Sequence, residues 1–150
     1  MNLKRILLRK GYQKIKLKKI NTNHFEIKAK LNGIKGRFIL DTGASNSCVD
    51  ISLASTFKLQ VEDSNTKAAG AGAIGMETKI ASQNKLQLKK WEFKNCTMVL
   101  LDLTHVNTAL TEHNAKAVDG IIGADILEKG KAIIDYKNKC VYLKKLVYKF

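Results

Sequence analysis

Apolar and polar residues alternate along much of the first forty positions. Between Tyr12 and Ile20 the apolar Ile15 and Leu17 are set among lysines, and between His24 and Leu31 the residues Phe25, Ile27, Ala29 and Leu31 alternate with polar ones. A period of two is the signature of a half-buried strand. Asn32-Gly33 follows, the dipeptide best suited to a two-residue hairpin, whose central positions both need positive φ. The return strand is Ile34 to Leu40. It ends abruptly in Asp41, followed by Thr42, Gly43, Ala44 and Ser45, small residues that force a sharp turn and fix the carboxylate in place.

Further along, Ser52 is expected to cap a short helical turn through Phe57, with Leu53 and Phe57 facing inward. Strand-like Ser64 to Lys67 and Glu77 to Ala81 flank Ala68-Ala69-Gly70-Ala71-Gly72-Ala73-Ile74-Gly75-Met76, which reads as a flexible hairpin tip. A phosphate loop is disfavoured there, because no Gly-Lys-Ser/Thr ending and no apolar helix follow. Strands are expected over Lys85 to Lys90 and Trp91 to Leu103, and a surface loop of weak helical character over Thr104 to Asn114. The apolar segment Val118 to Gly123 precedes a short helix, Ala124 to Lys129, with Gly130 as its stop. Ala132 to Tyr136 and Cys140 to Leu143 form a last hairpin. Strands dominate and helices are short.

Composition narrows the class. The 150 residues suit one domain, no proline-rich or low-complexity linker divides them, and no apolar run nears the ~20 residues of a membrane span. No export signal is visible, because Arg9 and Lys10 interrupt the apolar patch near Met1. Cys48, Cys96 and Cys140 are too few and scattered for a disulfide framework or a zinc site, so the expectation is reduced thiols in a cytoplasmic protein without metal or cofactor. Cys48 reads as a small buried residue rather than part of a cleft, and Trp91 as core or dimer packing. The net charge is +14, but residues 1 to 20 hold eight bases and no acid, leaving +6 for the other 130. With few aromatics among those lysines, a solvated basic face is favoured over a nucleic-acid groove.

Two segments look alike: Phe38-Ile39-Leu40-Asp41-Thr42-Gly43 and Val118-Asp119-Gly120-Ile121-Ile122-Gly123. With them the chain resembles the retropepsin-like aspartic proteases, whose single domains carry an apolar-apolar-Asp-Thr/Ser-Gly-Ala/Ser motif and a later apolar-apolar-Gly motif. The glycine-bearing stretch lies between the two motifs in the expected order, and the resemblance spans about residues 12 to 145. It implies an all-β, partly closed barrel with short helices, residues 1–11 being a basic N-terminal extension and 12–150 the protease domain. It also implies catalysis by Asp41 with Thr42 and Gly43, a substrate channel lined by Ala44 and Ser45, and a flap at Gly70, Gly72, Ile74 and Gly75. Ile121, Ile122 and Gly123 would support the turn from below.

The chemistry explains these residue types. Hydrolysis of a peptide bond without a metal or covalent nucleophile needs one carboxylate to deprotonate water and one carboxylic acid to polarise the carbonyl. A buried Thr42 hydroxyl would brace the loops, and Gly43 would let its amide approach the carboxylate. Only one such motif is present, and Asp119 and Asp125 read as acceptors of backbone hydrogen bonds. The site therefore requires Asp41 from two chains on a twofold axis, a homodimer acting on a peptide or protein substrate. Both chain ends are basic, which opposes the interleaved terminal strands of retroviral members. The competing readings are a non-catalytic peptide-binding module on the same fold and nucleic-acid binding by the basic N-terminus. His24, His105 and His113 are expected to have solvated surface roles.

Overall fold

The computed structural model describes residues 2–68 and 76–147; for 64–68, 76 and 77 it describes the backbone alone. Helix α1 (Leu3–Arg9) opens the chain, its first turn capped by Asn2, whose side chain accepts from the Arg5 N–H. Strands β1 (Tyr12–Lys16) and β2 (Lys18–Lys19) follow, then the hairpin of β3 (Phe25–Leu31) and β4 (Ile34–Leu40). Asn32 and Gly33 take φ of 52° and 84° in its turn, so the left-handed pair that the dipeptide favours is what the chain adopts.

The remaining elements are β5 (Cys48–Asp50), a 3₁₀ turn at Ile51–Leu53, β6 (Glu62–Ala68), β7 (Met76–Leu88), β8 (Trp91–Leu101), α2 (Thr104–Glu112), β9 (Gly120–Ile122), α3 (Ala124–Lys129), β10 (Ile133–Asp135) and β11 (Cys140–Lys144). Among the described residues, β3-β4-β9-β5-β8-β7 form a ring, closed by pairing of β3 with β7 through Lys30–Gln87 and Leu31–Leu86. This is the barrel. Strands β2 and β6 extend it at its margins, and β1, β11 and β10 make a separate small sheet. No helix of the described chain is long and apolar enough to cross a membrane.

The barrel encloses one large core. Ile27, Leu31, Phe38, Leu86, Leu88, Trp91, Met98, Leu100 and Ile122 are buried in it. Trp91 belongs to this core, and its indole N–H donates to the Lys144 carbonyl at 2.8 Å, tying the barrel to β11. Closure requires β7 to bend. The ladder shifts register between Ala81 and Asn84, Gln83 takes φ of 60°, and the buried Asn84 amide donates to the carbonyls of Ala81 and Cys96. At this bulge a side-chain donor thus serves carbonyls where the ladder is interrupted.

Several local expectations change. Lys85 to Lys90 is not a separate strand but the end of the long β7. Thr104 to Glu112 is a helix rather than a loop, because Val106 and Leu110, four apart, pack against Ile39 and Val118. Asp50 caps the 3₁₀ turn instead of Ser52: its carboxylate accepts from the Ser52 N–H and hydroxyl. Gly130 stops α3 with φ of −86° and packs closely on β11: a Cβ there would lie 2.8 Å from Leu143 Cδ2, which would have to shift. Residues 3–9 form a helix whose Leu7 is buried with Cys140 and Tyr142.

Candidate active site

The turn after β4 is held by the strand beside it. β4 and β9 run parallel with Phe38, Ile39 and Leu40 opposite Gly120, Ile121 and Ile122, and the Asp41 N–H then donates to the Ile122 carbonyl at 2.9 Å. The Gly43 N–H donates to Asp41 Oδ1 at 2.9 Å, and the Ala44 N–H closes the turn on the Asp41 carbonyl at 3.2 Å. The carboxylate is therefore oriented by its own loop while half-exposed.

Below the turn, Gly123 and Ser47 lock its two sides together. The Ala124 N–H donates to the Ala44 carbonyl at 2.7 Å, and the Gly123 N–H to the hydroxyl of the fully buried Ser47 at 2.8 Å. That hydroxyl donates in turn to Asp125 Oδ1 at 2.7 Å, and the Asp125 carboxylate also accepts from the Ser47 N–H. A Cβ on Gly123 would lie 2.5 Å from the Ala44 carbonyl oxygen, and one on Gly120 2.2 Å from that of Cys48. Real Cβ atoms do not approach so closely, so both glycines are required by contact. Cys48 is buried beside β9, and burial pushes its thiol up to about 12.

The expected residues are distributed unevenly. Ile121 lies opposite Ile39 on β9, and the Ile122 carbonyl accepts from the Asp41 N–H. Thr42 and Ser45 are exposed, so the buried hydroxyl expected of Thr42 is not seen in the single chain. Ala44 packs against Cys48, Leu101, Leu103 and Ile121. The flap residues Gly70, Gly72, Ile74 and Gly75 lie outside the described residues. Ser47 had no motif to mark it. Its signal was weak, a serine immediately before the apolar Cys48-Val49, with a partner 78 residues away.

Beside Asp41 runs a cavity of about 610 Å³, with Ile39, Val106, Leu110 and Ile121 among its walls and the loop Asn21–His24 facing α2. His24, His105 and His113, all the histidines of the chain, line it too. They are exposed, as expected of surface residues, yet the fold collects them around one opening. Among the described residues no group of three or more His, Cys, Asp or Glu side chains is arranged to hold a metal ion.

A family model described as aspartyl protease matches residues 27–126, from β3 through the first turn of α3 and across both glycine motifs. The chain belongs to the aspartyl protease family. The folds of solved structures agree. A retropepsin-like aspartic protease from Rickettsia conorii superposes with a TM-score of 0.63 at 21% identity, over 89% of this chain and 92% of that one. The EIAV protease, complexed with an inhibitor, gives 0.53 at 19% identity, over 82% and 91%. The retroviral protease-like domain of Ddi1 from Leishmania major gives 0.51 at 18%, over 81% and 93%. At these identities the likeness is one of fold, that of the retropepsin-like proteases. No curated protein sequence matches the chain.

Proposed function

We propose that this family member is an aspartic endopeptidase assembled as a homodimer, with Asp41 of each chain facing the other across a twofold axis. One observation carries the reading: of the seven aspartates only Asp41 lines the cavity described above, and the other six have partners elsewhere. Asp50 accepts from Leu103 and Ser52, Asp63 pairs with Lys79, and Asp102 accepts from Thr104. Asp119 accepts from the Arg37 N–H, Asp125 from Ser47, and Asp135 from Asn138. Among the described residues the cavity has an oriented, accessible carboxylate in its wall and no second one. A second chain supplies the missing acid.

In that arrangement the two carboxyls share one proton, since like charges at about 3 Å cannot both ionise, as is established for aspartic proteases as a class. The ionised member takes a proton from a water molecule as its oxygen attacks the peptide carbonyl carbon, and the protonated member donates to the carbonyl oxygen. Collapse of the tetrahedral intermediate breaks the C–N bond as the leaving amine takes the proton held by the first carboxyl and a hydroxyl of the intermediate returns one to the second, restoring the pair. Thr42, Gly43 and the Ile121-Ile122-Gly123 support hold the pair. Ala44, Ser45 and the glycine-rich segment from Gly70 to Gly75 contact an extended peptide. The exposure of Thr42 fits a surface that a partner chain covers.

A specific observation also favours a non-catalytic peptide-binding module: β1 and β11, nearest the two ends, pair with each other within one chain and so are satisfied without a partner. Cleavage of fluorogenic peptides by the wild type and Asp41→Asn, from acidic to neutral pH beside sedimentation, separates the two. Protease action predicts a loss of about 10²–10⁴-fold or more in Asp41→Asn with the fold unchanged. A dimer that cleaves nothing in a broad peptide library sinks it.

A further inference from the structure

The lining of the cavity beside Asp41 departs from the rest of the molecule's surface. The sequence holds 27 lysines and arginines, yet none lines this cavity, while all three histidines do. They come from distant positions, His24 from the loop before β3 and His105 and His113 from α2 and its C-terminal cap. The floor between them is apolar: Ile39, Val106, Ala109, Leu110 and Ile121. A side chain entering here meets a greasy base and imidazole edges at the rim.

The ring contacts restrict what those edges can offer. His113 Nδ1 lies 2.9 Å from the Ala109 carbonyl oxygen, an acceptor, so Nδ1 carries the hydrogen and Nε2 is the variable atom. His24 Nδ1 lies 2.7 Å from the Thr22 hydroxyl. Of the charged groups, Asp41 shares the cavity wall with the rings and Asp102 acts on His105. The Asp102 carboxyl is held below its ordinary range chiefly by the Thr104 hydroxyl and N–H, with a smaller contribution from His105. Protonation turns an imidazole from one donor and one acceptor into two donors with a positive charge.

We infer that this histidine-rimmed cavity selects peptides with a glutamate or aspartate near the scissile bond, and that it does so only when the imidazoles are protonated. The inference rests on the proposed peptidase reading and specifies its substrate. An extended peptide advances about 3.3 Å per residue. A cavity that has Asp41 in its own wall therefore receives a side chain at, or within about two residues of, the bond being cut. A lysine or arginine in these positions would attract acids at every pH; histidine confines the attraction to the acidic side of neutrality. The apolar floor accommodates the methylenes of glutamate.

The test uses pairs of fluorogenic peptides that differ only by glutamate against glutamine, placed in turn at each of the six positions around the cleaved bond. The ratio of kcat/KM for glutamate over glutamine is followed from about pH 8 to about pH 5.5, the range in which imidazoles titrate. At one position or more the ratio should rise at least about tenfold as pH falls. That rise should vanish in the triple variant His24→Gln, His105→Gln, His113→Gln and shrink in part in the single variants. A ratio independent of pH at all six positions, or one that keeps its rise in the triple variant, overturns the inference. Binding of the same pairs to Asp41→Asn, read by fluorescence anisotropy, needs no turnover. An enzyme that cleaves nothing but whose Asp41→Asn form shows the pH-dependent glutamate preference loses the peptidase reading and keeps this one. Equal binding of both peptides at low pH removes this one alone.

Discussion

Ser47, which belongs to neither motif, ties the Asp41 turn to the second one. Its hydroxyl accepts from Gly123 and donates to Asp125, joining the loop after β4 to the start of α3 in a buried place. Removing it in Ser47→Ala leaves the Gly123 N–H without its acceptor, so a loss of about 1–3 kcal/mol is expected in urea unfolding, with weaker turnover if the peptidase reading holds. The cysteines make a second prediction. Burial raises the thiols of Cys48 and Cys96 to about 12. Iodoacetamide at about pH 8 should leave both unmodified until the chain is unfolded. The sign is that of an acid kept neutral by the fold. Stability is full below the unfolded thiol value, about 8.5, and declines as pH rises through the folded value.

Among the elements, α1 and α2 show how little of a helix needs to be visible in a sequence for tertiary contacts to stabilise it. Helix α1 has seven residues, one buried leucine and a single asparagine cap, too short to persist alone in water. Its stability comes from Leu7 against Cys140 and Tyr142 of β11. Leu7→Ala is expected to cost about 2–3 kcal/mol and to lower Tm, measured by calorimetry. Helix α2 similarly depends on Leu110 against Ile39 and Val118, and on Asn107, whose side chain bonds both the N–H and the carbonyl of Val118. No capping box or strong periodicity announced it. The β3–β4 hairpin was legible for the opposite reason: strict alternation and Asn32-Gly33 are local signals that the fold does not have to override.

For the whole molecule, charge and closure matter together. Lys16, Lys18 and Lys19, which in sequence look like an end effect, are gathered by the fold with Lys28, Lys89 and Lys139, and with Glu26, around a groove of about 650 Å³ that Ile15 and Leu17 also line. That groove shares no lining residue with the Asp41 turn. Two chains of +14 repel at low ionic strength. Raising salt from about 0.05 M to about 0.5 M shortens the Debye length severalfold, so sedimentation should show the dimer fraction increasing. A dimer fraction that falls with salt would mean instead that opposite charges hold the chains together.

The residue order alone determined the strand-rich class, the first hairpin and the Asp41 turn, because each is written in contiguous residues whose local preferences agree; the later Ile-Ile-Gly entered only through the family resemblance. It also showed that Asp-Thr-Gly occurs once in the sequence, which is the ground for proposing a second chain. Tertiary structure decided what depends on residues meeting across long separations. It brought Ser47 to Asp125, closed the ring through β3 and β7, committed six aspartates elsewhere, and moved three histidines from positions 24, 105 and 113 to one cavity beside Asp41. Periodicity reports which face a residue occupies within its own element. It does not report what that face will meet, and that meeting depends on how the barrel closes.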